Sequence, residues 1–132
     1  MSWSSLFGDA VVIHRYTRAQ AIADGVLIDA SEMAREAGFR VPVALTAAVW
    51  ADCVTWNNEQ EVCPQDEDGR LWDVLTMAAF AACARPDAAR LPFELLRVPR
   101  GRLRPERVRL GLAIGPGDEG EPVITILQPE ED

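Results

Sequence analysis

A change of hydrophobic period at Pro92 limits what this chain can fold into more than any other feature. Upstream, apolar residues recur at helical spacing; downstream they fall on every second position. Val49, Trp50, Cys53, Val54 and Trp56 form one broad stripe at a period of 3.6 residues, with Asp52 and Thr55 off it. From Leu71 the apolar positions run nearly all round (Trp72, Val74, Leu75, Met77, Ala78, Phe80) until Pro86 stops them. This predicts a central helix enclosed on every side. Residues 93–98, 107–114 and 123–128 read as strands. In the second, Val108, Leu110, Leu112 and Ile114 alternate with Arg107, Arg109, Gly111 and Ala113. The expected class is α+β: N-terminal helices packed on one face of a C-terminal three-stranded antiparallel sheet. Trp50, Leu75, Phe80, Leu110 and Leu112 are the expected core. With 132 residues the chain has room for one core, hence one domain over 1–132.

Local signals place the smaller elements. Thr17 and Gln20 fit a capping box, and Gly25 suits the left-handed position after the short helix they open. Residues 26–28 are rich in β-formers. Ser31 opens a second short helix that ends at Gly38, and Thr46 is the natural N-cap of a third reaching about residue 54 or 56. Residues 57–68 have loop composition, and a seven-residue loop, 115–121, joins the last two strands.

All 13 basic side chains are Arg against 21 acids, a net charge of −8. The charge is uneven: −7 over residues 1–84, +5 over 85–109 and −6 over 110–132. A net anion repels phosphate, which disfavours DNA binding by the whole surface. The longest apolar run, 77–84, is far short of the roughly 20 residues of a spanning helix. The chain starts without a basic and apolar leader, and its three cysteines are an odd number, so the expected compartment is the cytoplasm.

No arrangement of residues calls for catalysis, a cofactor or a metal. Cys53, Cys63 and Cys83 have no C-x-x-C spacing, and His14 is the lone histidine. Cys53 and Cys83 are expected buried and Cys63 exposed. Glu32 and Glu36, spaced i, i+4, read as a solvated helix face. The glycines at 115, 117 and 120 sit among acids that repel phosphate. Two charged groupings stand out instead. Asp66, Glu67, Asp68 and Asp73, with Asp118, Glu119 and Glu121, are anionic clusters able to imitate a phosphate row. Arg97, Arg100, Arg102, Arg104, Arg107 and Arg109 can track a phosphate backbone or meet an acidic partner.

Several stretches resemble a family of small uncharacterised proteins encoded by bacterial plasmids, integrative elements and phages. They are Tyr16-Thr-Arg-Ala-Gln-Ala-Ile-Ala-Asp-Gly-Val-Leu-Ile-Asp29, Ala34-Arg-Glu-Ala-Gly-Phe39, Pro42-Val-Ala-Leu-Thr46, Ala48-Val-Trp-Ala-Asp-Cys-Val54 and Gly115-Pro-Gly-Asp-Glu-Gly-Glu-Pro-Val123. The resemblance implies no catalytic residues; it implies accessory genes whose products handle DNA transfer or blunt host defences. The expected function is therefore non-enzymatic. The protein binds a host protein or protein complex through its acidic clusters, as an inhibitor of a nucleic-acid-handling defence such as CRISPR or restriction. The alternative is a nucleic-acid binder working through the arginine strip.

Overall fold

The computed structural model describes residues 16–131. His14 and Trp3 lie outside the described residues. The order is α1 (Arg18–Ala23), β1 (Leu27–Asp29), α2 (Ser31–Glu36), β2 (Val43–Thr46), α3 (Ala47–Val49) continued by a π-helical stretch (Trp50–Val54), α4 (Glu67–Ala84), β3 (Arg90–Arg97), β4 (Glu106–Pro116) and β5 (Pro122–Leu127).

Local chemistry explains the small elements. The Thr17 hydroxyl accepts the Gln20 N–H at 3.0 Å and the Gln20 carboxamide accepts the Thr17 N–H at 2.8 Å, the reciprocal capping box. Gly25 follows α1 at φ 79°, which a side chain would resist. The Thr46 hydroxyl accepts from the Val49 N–H at 3.3 Å and opens α3. The turns then widen, so that Thr55 N–H donates to Trp50 O, five residues back, at 2.9 Å.

The class is α+β, but the sheet is not the expected three-stranded antiparallel one. Five strands run in the order β1-β2-β5-β4-β3, and β2 lies parallel to β5 with Val43 opposite Ile124. The three later strands form the expected meander, and β1 and β2 extend it on the β5 side. Leu45, Leu75, Leu110, Leu112 and Ile126 are fully buried between the sheet and the helices α2 to α4. α1 reaches the opposite face, where the Arg18 guanidinium donates to Thr125 Oγ1 at 2.8 Å and to Ile124 O at 2.7 Å.

The long helix departs from expectation. It buries Arg70, Leu71, Val74, Leu75 and Ala78 against the sheet and turns its other side outward. Trp72 and Met77 are about 40% exposed and Phe80 72% exposed. A single sheet covers one side of a helix, and nothing among the described residues covers the other. Phe80 is therefore outside the core, Trp50 is half-buried and Cys83 is exposed. Leu75→Ala should cost about 3 kcal/mol in urea unfolding, the transfer and cavity cost of a core leucine. Phe80→Ala should stay within about 0.5 kcal/mol of the parent in the same measurement.

Candidate functional site: the α4–β3 groove

The site is assembled around Arg70, which is 4% exposed and lies one turn into α4. A π-helical stretch ending in mid-protein leaves carbonyls without intrahelical donors. The Arg70 guanidinium supplies them: Nε donates to Val54 O at 3.1 Å and Nη2 to Asp52 O at 3.4 Å. Nη1 donates to Val98 O at 2.9 Å, just beyond β3, and the guanidinium carbon lies 4.5 Å from the Trp56 ring centroid. Burial pushes the Arg70 pKa down. Trp56 is held in turn by its indole N–H donating to Cys63 O and by its backbone N–H donating to Glu67 at 2.8 Å.

Arg97, at the end of β3, donates to both oxygens of Asp52 at 3.0 and 3.2 Å. Its Nε is the buried side-chain polar atom, among the described residues, that has no partner. Cys53, next to Asp52, has its thiol pushed up to about 12 by burial first and then by the Asp52 charge. It is an inert thiol rather than a nucleophile.

Two hollows flank this clasp and share Asp73, Leu95 and Leu96. One, of about 440 Å³, lies between Met77 and Thr76 of α4 and Glu94 of β3. The other, of about 210 Å³, reaches Arg70, Arg97 and Cys53. Together they form a groove along the β3 edge of the sheet, with Phe80 on the adjacent turn of α4 and Leu96, 61% exposed, on the strand. No hydrogen bond or ion pair engages the Asp73 carboxylate among the described residues.

The charged residues singled out from sequence are dispersed by the fold. Of the acids, Asp73 enters the groove. Glu67 is spent on Trp56, and Asp66 sits beside Gly69. Asp68 joins Asp29, Glu32 and Glu36 around a separate hollow of about 350 Å³. Asp118 accepts from the N–H groups of Arg18 and Ala19 at 2.6 and 3.0 Å, which fixes it to the start of α1. Glu121 accepts from the Glu119 N–H.

Of the arginines, Arg97 is a groove residue. Arg107 and Arg109 both face Glu94 at 3.7 Å, and Arg102 faces Glu106 at 3.6 Å. Such exposed pairs contribute little. Arg100 and Arg104 stand in the β3–β4 loop without a partner among the described residues. The decisive residue that sequence reasoning missed is Arg70; its one signal is an arginine placed in the buried stripe of an apolar helix.

A family of unknown function (DUF6573) matches residues 3–132. The chain belongs to the DUF6573 family. No curated protein and no solved structure matches it. Among the described residues of this DUF6573 chain no helix is long and apolar enough to cross a membrane, and no group of three or more His, Cys, Asp or Glu is arranged to hold a metal ion.

Arg70→Met should destabilise by about 3 kcal/mol in urea unfolding, because three carbonyls lose a buried donor. Arg70→Lys should recover little of that, since an ammonium cannot span three acceptors in a planar fork. Cys53 ties stability to alkaline pH. Its thiol ionises near 12 when folded against an ordinary 9, so the unfolded chain loses that proton first. Its contribution is intact below about pH 9 and is lost as pH rises towards 12. Urea midpoints measured over that range should fall more shallowly in Cys53→Ala than in the parent.

Proposed function

We propose that the chain is a non-enzymatic protein-binding module that acts by occupying a partner protein's surface through the α4–β3 groove. The observation that carries this reading is the apolar outer side of α4. Met77 and Leu96 are exposed in a concave strip rimmed by Asp73, Glu94 and Arg107, and Phe80 and Trp72 are exposed on the same helix, more large apolar surface than a monomer usually displays. Large apolar anchors inside a charged rim are the usual composition of a protein interface. The resemblance to proteins of bacterial mobile elements supports an accessory role in which blocking a host component, such as a nucleic-acid-handling defence complex, is the whole activity. Three free cysteines suit a reducing cytoplasm as the place of action.

A second reading keeps the arginine strip as a nucleic-acid contact. It is favoured by Arg100 and Arg104, which are exposed on one loop and unpaired among the described residues. The two readings separate cleanly. Host-lysate capture by the purified chain should be lost in the double variant Met77→Asp, Phe80→Asp and kept when Arg100, Arg102 and Arg104 are changed to Ser. The opposite pattern, with nuclease treatment also abolishing capture, would establish the second reading. Capture unaffected by either change would defeat both.

A further inference from the structure

The backbone along the groove says what kind of segment fits it. Ile114 N–H donates to Ala89 O at 2.7 Å, and the β3–β4 register then continues without a bulge from Arg90 opposite Ala113 to Arg97 opposite Glu106. In an antiparallel pair, bonding to the neighbour alternates residue by residue. Leu91, Phe93, Leu95 and Arg97 therefore bond to β4, while Arg90, Pro92, Glu94 and Leu96 point their main-chain groups out of the sheet. β3 is the terminal strand. Pro92 has no N–H to offer, which blunts the first half of this edge in the way natural edge strands are protected. The second half, Glu94 to Arg97, has no such guard, and it is the part that borders the groove.

We propose that this half-edge takes an extended segment of a partner protein as a sixth strand. Its main chain bonds Glu94 and Leu96, its apolar side chains enter the groove on alternate positions, and a Lys or Arg faces Asp73. The inference rests on the groove reading above and names its mode. Charge selects the partner's chemistry: Glu94 is already paired with Arg107 and Arg109 and the Arg70 guanidinium is spent on carbonyls, which leaves Asp73 as the carboxylate of the strip with no ionic partner among the described residues. A second copy of the chain is a poor occupant. A two-fold axis on this short half-edge would bring the two Asp73 carboxylates together, and each copy carries a net charge of −8.

The test selects peptides from a displayed random library on the immobilised full chain and measures the synthesised winners by titration and amide hydrogen exchange. The expected winners alternate apolar residues around a Lys or Arg and slow exchange at the Glu94 and Leu96 amides at least tenfold. They should bind Leu96→Pro and Asp73→Lys at least tenfold more weakly. Should Leu96→Pro fail to fold, Asp73→Lys and the exchange measurement decide alone. Peptides that lose binding in Phe80→Asp yet leave both amides exchanging as before overturn strand addition and leave the groove reading intact. Peptides indifferent to Phe80→Asp, or no enrichment over blank support, overturn both.

Discussion

The Arg70 guanidinium is the point at which helix, π-helical stretch and sheet edge are tied together. It sits almost wholly out of water, where an unpaired cation would be very costly, and each of its bonded donors meets a carbonyl that would otherwise be an orphan. Two of those carbonyls exist as orphans because the helix after Thr46 widens and ends at Val54. The third, Val98 O, is where β3 leaves the sheet. One side chain therefore sets the spacing between α4 and the end of β3, which is the width of the groove. The same clasp puts Asp52 within reach of Arg97, so the groove's polar end follows from the bonds that hold the fold.

The apolar side of α4 follows from an imbalance of layers. β3 is the strand most closely associated with the helix, and the sheet stops at β3. A helix laid over the last strands of a sheet covers them with one face and overhangs the edge with the next. In this chain the overhanging positions are Thr76, Met77 and Phe80 instead of the charged residues that would ordinarily finish such a surface. Nothing among the described residues buries the remaining apolar area.

How much of this was legible in the sequence depended on how each residue is covered. β4 is readable because Val108, Leu110 and Leu112 face the core while Arg107 and Arg109 between them face solvent, although Gly111 further on is itself buried. β2 is not: Val43, Ala44 and Leu45 are all buried, and a four-residue strand closed on both faces shows no alternation. The capping box at Thr17 and the N-cap at Thr46 are local and legible in sequence. For α4 the pattern recorded which residues are apolar, and enclosure was inferred where a single layer covers it. Arg70 and the pairing of Asp52 with Arg97, 45 positions apart, are long-range facts with no local trace. The groove thus lies beyond sequence reasoning, although Asp73, Arg97 and Phe80 each stand out in the sequence for other reasons.

The fold also changes what the uneven charge means. Along the chain the +5 segment looks like a single basic strip, yet β3 and β4 alternate their faces and place Glu94 between Arg107 and Arg109. Arg97 is withdrawn to Asp52, and Arg90 donates to Glu131 O at 2.9 Å. What remains unpaired in that segment among the described residues is Arg85 at the end of α4 and Arg100 and Arg104 in one loop, while Asp29, Glu32, Glu36 and Asp68 gather around a different hollow. Both charged groups stand on exposed surface, where salt screens them over about 10 Å. Added salt should therefore weaken steering by either group more than it weakens the contacts proposed for the groove, which rest on apolar burial and main-chain bonding. In the proposed binding mode, charge governs approach and orientation, and the apolar side of α4 beside the open strand governs what is held.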